Sequence, residues 1–176
     1  MNGKRGLSQV VSAVLLILLT VALAAGLWAG LNGYLSSSMN RTTACNDIIE
    51  KVKLNPSYTC YDSSSGSVLV SISRKEFAMD SLSVSILEEE KSKSFSLENT
   101  PKLIEEVSYY SSVGGVEMVA LPGNESGKTY CVSGFLSKPI SIIISPKRAG
   151  FQCEVIDTID DIPFCPTSIF CESEPN

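Results

Sequence analysis

The hydrophobic pattern of the chain begins with a long uncharged segment. Residues 6–40 carry no charged side chain, and within residues 10–31 only Ser12 and Thr20 are polar. An α-helix crosses the apolar core of a bilayer with about 20 residues. A helix that is apolar on every face has to be buried in lipid or in protein. The pattern therefore predicts an apolar helix over residues 7–35 that lies in or at a membrane.

The segment after this helix predicts a change of structure. Residues 35–40 are polar and rich in serine, and they predict a joint between the helix and the rest of the chain. Apolar residues within 45–52 recur at helical spacing, which predicts a short second helix. Thr43 is its candidate N-cap, and Asn55-Pro56 is expected to end it.

The remainder of the chain alternates apolar residues with serine. This pattern predicts half-buried β-strands with serine on the solvated face at 67–73, 81–86 and 94–97. Further strands are predicted at 116–121, 130–136 and 140–145, with turns at 88–93 and 137–139. Six or seven short strands without long helices between them favour an antiparallel sandwich or open barrel. The predicted class is α+β, with a single β-rich domain over residues 41–176.

Small residues recur every fourth position in the apolar helix. They form two rows: Ala22, Gly26 and Gly30, and Ala25, Ala29 and Gly33. Small residues at this spacing let helix backbones approach closely and favour helix–helix packing. Alanine and glycine are also frequent in membrane helices, so composition alone is the competing explanation.

Two general kinds of membrane segment fit this N-terminus. A secretory signal peptide is favoured by Lys4 and Arg5 before the apolar run and by Ala22-Leu23-Ala24, which resembles a small-residue cleavage site. The chain stays apolar after Ala24, whereas a mature soluble protein usually becomes polar. An uncleaved anchor with a single span is the second kind, and it would keep Lys4 and Arg5 in the cytoplasm and the rest outside.

A third interpretation depends on a family resemblance. Residues 4–17, KRGLSQVVSAVLLI, resemble the N-terminus of archaeal type IV pilins and pilin-like proteins, including the archaellin-related N-terminus. The resemblance implies that residues 1–6 are a prepilin leader (a class III signal peptide) with Lys4, Arg5 and Gly6 as processing determinants. A prepilin peptidase is then expected to cut between Gly6 and Leu7 on the cytoplasmic side. The resemblance covers about the first 35 residues.

The resemblance also implies an architecture and a function. Residues 7–40 are expected to be the transmembrane and assembly helix with its joint, and 41–176 an extracellular head, which together make a lollipop shape. The protein is then a non-enzymatic structural subunit of an archaeal type IV pilus-like filament. It is expected in the cell membrane and, after assembly, in a cell-surface filament. The head is expected to carry any adhesive or contact function, and the filament serves cell adhesion, motility or uptake. Its partners are the membrane, the prepilin peptidase and either further copies of itself or other pilins.

Two positions depart from the family pattern, and one alternative function remains. Many bacterial relatives have Glu at the fifth mature position, where this chain has Val11, and many archaeal members have Pro near the third, where it has Gln9. The alternative is a single-pass, membrane-anchored extracellular binding domain without a filament role.

All six cysteines lie in the predicted head: Cys45, Cys60, Cys131, Cys153, Cys165 and Cys171. An even number of cysteines outside the membrane predicts disulfides, and six cysteines allow 15 pairings. Nearness in sequence favours pairing of Cys45 with Cys60, Cys131 with Cys153, and Cys165 with Cys171. No C-x-x-C pair and no histidine occur, so the usual zinc spacing is absent from the sequence.

Composition offers little support for enzymatic chemistry. The absence of histidine removes the commonest general base and the Ser-His triad, and we expect neither a cofactor nor a metal. Asp157, Asp160 and Asp161 are an acidic cluster, but their spacing matches no EF-hand loop. The net charge of −5 argues against nucleic acid as a partner, which requires a basic surface. Asn40 and Asn124 begin N-x-S/T sequons and are candidate glycosylation sites.

Overall fold

The chain divides into two compact units. A computed structural model describes residues 4–110, 117–166 and 171 of the 176-residue chain, with side chains for these residues except 4–9, 36–37 and 40–41. The two units are Met1–Thr42 and Thr43–Asn176. The first unit is helical, whereas the second is built mainly from β-strands.

One helix, α1, runs without interruption from Lys4 to Asn46 over 43 residues. It confirms the predicted apolar helix and extends it. The predicted joint at residues 35–40 is wrong, because these residues are helical. Neither glycine nor proline occurs between Gly33 and Pro56, so no strong helix breaker interrupts the backbone there.

The predicted second helix at residues 45–52 is also wrong. α1 ends at Asn46 and a turn follows, in which the amide of Lys51 donates to the carbonyl oxygen of Ile48 at 3.0 Å. Ile48 and Val52 recur at helical spacing because both are buried in the core of the second unit, not because they share a helix face.

The second unit is predominantly β-structure. Within the described residues, twelve strands follow α1: β1 (Val52–Leu54), β2 (Cys60–Asp62), β3 (Ser67–Arg74), β4 (Ser81–Leu87), β5 (Ser92–Glu98), β6 (Lys102–Leu103), β7 (Val107–Tyr109), β8 (Met118–Val119), β9 (Ser126–Val132), β10 (Ser141–Arg148), β11 (Phe151–Gln152) and β12 (Asp157–Asp160). A short 3₁₀ turn at Pro56–Tyr58 separates β1 from β2. Every pairing between these strands is antiparallel.

The strands form two five-stranded sheets and one short pair. The first sheet has the order β1-β3-β9-β7, with β2 also paired to β3, and the second has the order β11-β10-β4-β5, with β12 also paired to β10. The short pair is β6-β8. In each five-stranded sheet, two short strands share one edge of a long strand. This arrangement gives the long strands β3 and β10 partners on both sides.

One hydrophobic core joins the two five-stranded sheets. Its members from the first sheet include Val68, Val70, Ile72, Tyr130 and Val132, and those from the second include Leu82, Val84, Ile86, Leu97, Ile142 and Ile144. Burial of one Val, Leu or Ile side chain stabilises a fold by roughly 1.5–3 kcal/mol. The shared core confirms the predicted α+β class and the antiparallel, sandwich-like arrangement of the sheets.

Several predicted strands are confirmed. β4 and β5 cover the strands predicted at 81–86 and 94–97, and β10 covers the strand predicted at 140–145 except its first residue. β4 and β5 pair as a hairpin across the predicted turn, where the amide of Glu88 donates to the carbonyl oxygen of Lys91 at 2.8 Å. The strand predicted at 116–121 begins outside the described residues, and β8 covers only Met118–Val119 of its described part.

The prediction for the outer face of β3 is wrong over most of the strand. Serine is expected to face solvent there, but Ser67 and Ser71 are buried at 3% and 7% exposure, and only Ser73 is exposed. Leu69, on the same face, is also buried at 2% exposure.

Leu69 packs in a second cluster with Cys60 and Cys131 of the two neighbouring strands. Cys165 and Cys171 of the C-terminal segment, which is described at residues 163–166 and 171, complete this cluster. Alternation marks one buried face correctly, but it does not indicate whether another part of the chain covers the opposite face.

The strand predicted at residues 130–136 is shifted along the chain, because β9 ends at Val132. Gly134 has a φ of 87°, a left-handed conformation that does not continue a strand. A Cβ atom there would lie 2.7 Å from Glu106 Oε1 and from Lys93 Nζ. The predicted turn at 137–139 lies in the connection between the two sheets and therefore does not close a hairpin.

The turn between β2 and β3 is organised by the carboxylate of Asp62. It accepts hydrogen bonds from the amide and hydroxyl of Ser64 at 2.9 and 2.6 Å and from the hydroxyl of Ser65 at 2.7 Å. Burial raises the pKa of the Asp62 carboxyl. The hydrogen bonds to its ionised form lower the pKa, and together they outweigh the effect of burial. The pKa therefore lies below its usual value.

We expect Asp62→Asn to reduce the acid sensitivity of the head. Because the pKa of Asp62 is lower in the folded than in the unfolded chain, the carboxylate stabilises the fold above the unfolded pKa. This contribution is lost as the pH falls through the folded value. Between about pH 5 and about pH 2, the unfolding free energy of the unaltered protein should fall by about 1 kcal/mol more than that of Asp62→Asn.

Chemical denaturation at the two pH values measures this difference. The exposed neighbour Ser63 provides the control, and Ser63→Ala should retain the pH dependence of the unaltered protein. An unchanged pH dependence in Asp62→Asn would contradict the role assigned to the carboxylate.

Candidate functional site

The apolar part of α1 is the most conspicuous candidate for function. The segment Val10–Leu35 has 26 residues and a mean hydropathy of 2.7, and none of it is buried. At 1.5 Å per residue it is roughly 39 Å long, which exceeds the apolar core of a bilayer at about 30 Å. Within the described residues, it is the one helix long and apolar enough to cross a membrane.

The polar side chain in the middle of this segment is satisfied by the helix itself. The hydroxyl of Thr20 donates to the carbonyl oxygen of Ile17 at 2.8 Å. A hydroxyl placed in an apolar environment without a partner is costly. This bond makes Thr20 compatible with lipid or with a protein interior.

The first row of small residues forms a shallow groove on α1. Ala22, Gly26 and Gly30 line a depression of about 460 Å³, together with the leucines that follow each of them: Leu23, Leu27 and Leu31. A Cβ atom added at Gly26 or Gly30 would meet nothing within 4 Å. The glycines are therefore not required by packing within the described part of the chain.

The second predicted row lies beside this groove. Ala25, Ala29 and Gly33 are exposed, but none of them lines the depression. A Cβ atom at Gly33 would also meet nothing within 4 Å. The depression described above therefore belongs to the first row.

The predicted processing residues Lys4, Arg5, Gly6 and Leu7 lie in the first turns of α1. Their side chains lie outside the described residues. Cleavage between Gly6 and Leu7 remains a prediction from the sequence.

All six cysteines are paired, but each pairing predicted from sequence proximity is wrong. The disulfides are Cys45–Cys153, Cys60–Cys165 and Cys131–Cys171, with sequence separations of 108, 105 and 40 residues. The sandwich brings distant segments together, and their Cα atoms lie 4.9–5.8 Å apart, the range that a disulfide requires. Disulfides of this kind are typical of proteins outside the reducing cytosol.

One disulfide links the end of α1 to the β-structure. Cys45 lies in the last turn of α1 and is bonded to Cys153, just after β11. Arg148 also donates to the carbonyl oxygen of Ala44 at 3.1 Å and pairs with Asp47 at 3.4 Å. The last turn of the helix is therefore an integral part of the second unit.

The other two disulfides hold the C-terminal segment on the first sheet. Cys60 and Cys131 lie directly opposite Leu69, one on each side of β3. The amide of Tyr61 donates to the carbonyl oxygen of Pro163 at 2.8 Å, and the amide of Cys165 donates back to Tyr61 at 2.9 Å. The bridges and these hydrogen bonds explain why the outer face of β3 is buried.

No metal centre is apparent in the part of the chain that the structure describes. It contains no group of three or more His, Cys, Asp or Glu residues placed to hold an ion. In the acidic cluster, Asp157 accepts hydrogen bonds from the amides of Leu54 and Thr158 at 2.8 and 3.0 Å. Asp161 pairs with Lys138 at 2.8 Å. These carboxylates have structural partners within the protein.

The buried arginine of β3 escapes prediction from sequence. Arg74 is 8% exposed, and its guanidinium donates to the carbonyl oxygens of Phe77 and Pro122 and to the side-chain oxygen of Asn99. Burial lowers the pKa of Arg74. An arginine at the end of an alternating strand carries no signal that distinguishes it from an exposed one, because its burial depends partly on Asn99 and Pro122, which are distant in sequence.

The structure describes the side chain of one candidate glycosylation asparagine but not that of the other. Asn124 is exposed in the turn before β9 and is accessible to modification. The side chain of Asn40 lies outside the described residues. The described head therefore contains one accessible candidate site.

Comparisons with known proteins identify no family. The chain matches no protein-family model, no curated protein and no solved structure. The features that bear on function are therefore the exposed apolar helix, the disulfides and the surfaces of the second unit.

Proposed function

We propose that the protein is a non-enzymatic, pilin-like subunit of a cell-surface filament. The apolar helix holds the precursor in the membrane, a prepilin peptidase removes residues 1–6, and the helix starting at Leu7 packs with other subunits in the filament. The β-rich unit lies outside the cell and forms the filament surface. Archaeal type IV pilins are the family that the N-terminal sequence resembles.

The observation that carries this proposal is the exposure of the whole apolar segment, together with its small-residue groove. Exposed apolar side chains over Val10–Leu35 require a partner, either lipid or protein. The groove at Gly26 and Gly30 permits close approach of a second helix. A helix moving from lipid into a bundle exchanges one apolar environment for another, so packing contacts rather than water exclusion have to favour the transfer.

The continuity of α1 supports a retained helix over a cleaved signal peptide. A cut after Ala24 would leave the remaining half of an unbroken helix attached to the head through Asn46. Residues 25–35 of that remnant would expose apolar side chains to water. Such a surface favours aggregation of a secreted domain.

Three disulfides support an extracytoplasmic location of the second unit. The basic residues Lys4 and Arg5 precede the apolar segment, and the positive-inside bias then places the head on the other side of the membrane. The disulfides and the basic N-terminal residues therefore favour the same orientation of the chain across the membrane.

The deciding experiment is mass spectrometry of the intact protein purified from its natural membrane. A mature chain starting at Leu7 is the expected result. A chain starting at Met1 would contradict processing and favour the membrane-anchored binding domain. A start near Ala25 would contradict both proposals and identify the segment as a secretory signal.

We expect Asn124 to carry a glycan. Asn124→Gln should reduce the mass of the native protein by one glycan, because the exposed turn presents the asparagine to the modifying enzyme. Intact-mass measurement checks this result. Ser126→Ala should have the same effect because it destroys the sequon, whereas Ser126→Thr should retain the glycan. An unchanged mass in Asn124→Gln would contradict modification at this site.

A further inference from the structure

A cationic depression lies at one end of the first sheet. It has a volume of about 290 Å³, and its lining includes Lys51, Lys53 and Lys75. Pairing of β1 with β3 places Lys53 opposite Ser73, and the amide of Lys75 donates to the carbonyl oxygen of Lys51 at 2.8 Å. Residues that are distant in sequence are thus held together by backbone hydrogen bonds.

The three lysines of this depression are exposed, and the described part of the chain offers no partner for their amines. Within the described residues, none of the three takes part in a salt bridge or side-chain hydrogen bond. By contrast, the ammonium groups of Lys93, Lys102 and Lys138 pair with carboxylates. Unpaired ammonium groups gathered around a concavity attract an anion.

This lysine cluster lies in a unit in which acidic residues outnumber basic ones. All 19 acidic residues of the chain lie from Asp47 onward, together with 11 of the 14 lysines and arginines. The buried guanidinium of Arg74, which also contributes to the depression, hydrogen-bonds to neutral oxygens. Its positive charge therefore adds to that of the lysines.

Gly127, which forms the floor of the depression, and the other lining residues indicate the chemistry of a suitable ligand. Gly127 lies opposite Ser73 in the pairing of β9 with β3, and its missing side chain leaves room above the sheet. The lining contains only charged residues, serines and this glycine. Because no aliphatic or aromatic residue is among these lining residues, recognition here depends mainly on charge and hydrogen bonds.

Two carboxylates complete the lining. One oxygen of Glu125 accepts a hydrogen bond from the amide of Glu76 at 2.8 Å, and Glu50 is exposed. Carboxylates accept hydrogen bonds from hydroxyl groups but repel further carboxylates. Ammonium groups beside carboxylates therefore suit a ligand that combines an anionic substituent with several hydroxyls.

We propose that this depression binds a sulfated or phosphorylated saccharide. The lysine amines of Lys51, Lys53 and Lys75 contact the anionic ester group, and Glu50 and Glu125 accept hydrogen bonds from sugar hydroxyls. This binding is a property of the head alone and does not depend on cleavage or filament assembly.

The test uses the full-length protein in detergent micelles and isothermal titration with a sulfated tetrasaccharide. Lys53→Gln combined with Lys75→Gln should weaken binding about tenfold, because two charge-assisted contacts are lost. The matched control is Lys91→Gln combined with Lys147→Gln, which removes the same charge from two exposed lysines outside the depression. The control should bind with less than about a twofold change.

A second pair of variants, at Gly127, tests whether the saccharide binds in this depression. A Cβ atom at Gly127 would be 3.5 Å from the carbonyl oxygen of Ile72, an ordinary contact, so the strand tolerates a side chain there. Gly127→Asp should abolish saccharide binding by placing a carboxylate in the depression, while Gly127→Ala should retain most of it. Circular dichroism verifies that both variants are folded.

Three results would overturn the proposal. Equal losses in the two lysine double variants would mean that binding reflects net charge alone. Equal affinity for the unsulfated tetrasaccharide would remove the role of the anionic group. Inorganic sulfate or a polyglutamate peptide binding as tightly as the sulfated tetrasaccharide would remove the role of the sugar. Tight binding of the sulfated tetrasaccharide alone, lost in Gly127→Asp, would support it.

Discussion

Replacing Gly6 with a bulky residue, as in Gly6→Leu, is expected to leave an uncut precursor in the membrane and to abolish filaments. Gly6 is the last residue of the leader that the family resemblance implies, and a peptidase that cuts directly after glycine has no space for a larger side chain. With the leader retained, Lys4 and Arg5 stay attached to the apolar helix. Moving these charges into an apolar bundle costs several kcal/mol.

Intact mass and electron microscopy of the cell surface measure the two parts of this prediction. The precursor should be heavier than the mature chain by residues 1–6, and the surface should lack filaments. Gly6→Ala is the conservative control and should be cut because alanine is the next smallest residue. Normal filaments from Gly6→Leu would contradict processing at this position. Normal cutting of an unaltered chain that forms no filaments would instead contradict assembly.

Removing the Cys131–Cys171 disulfide is expected to destabilise the head by about 4 kcal/mol, the chain-entropy value for a loop of 40 residues. This loss is a large part of the 5–15 kcal/mol that is typical for a whole domain. The expected reason is twofold. The unfolded chain gains freedom, and the C-terminal segment is released from Leu69, which is 2% exposed in the intact fold.

Denaturation of Cys131→Ser combined with Cys171→Ser, in the full chain in micelles, tests this value. The single tryptophan, Trp28, lies in α1, so its fluorescence does not report on the head. Near-ultraviolet circular dichroism of the buried tyrosines, such as Tyr130, is the suitable signal. Leu136→Ser, at an 88% exposed site, is the control and should change stability by less than about 0.5 kcal/mol. Equal stability of the two variants would contradict the role of the bridge.

Elements that carry their own local pattern of apolar residues could be predicted from the sequence, whereas features that depend on tertiary packing could not. The apolar helix and strands β4, β5 and β10 were predictable because each carries its own period of apolar residues. The joint at 35–40 was wrong because no glycine or proline in that stretch ends the helix. The helix at 45–52 was wrong because Ile48 and Val52 are buried in the core of the second unit, whereas their spacing suggested a helix face. Local patterns cannot distinguish these causes of burial.

The candidate sites show the same division. The groove on α1 was predictable because residues four apart always share a helix face. The cationic depression was not, since Lys53 and Lys75 meet only through the register of β1 with β3. The buried guanidinium of Arg74 depends on oxygens of Asn99 and Pro122, which are 25 and 48 residues away in sequence.

The sequence by itself determined that the chain begins with a membrane-length apolar helix and continues as a β-rich domain with six cysteines. Both conclusions depend on period and composition, which are properties of short segments. Only the tertiary structure decided which cysteines pair, that the C-terminal segment covers the outer face of β3, and where unpaired lysines gather. These features join residues up to 108 positions apart. Their contacts are selected by the free energy of the whole packed domain and by strand register, not by local preference.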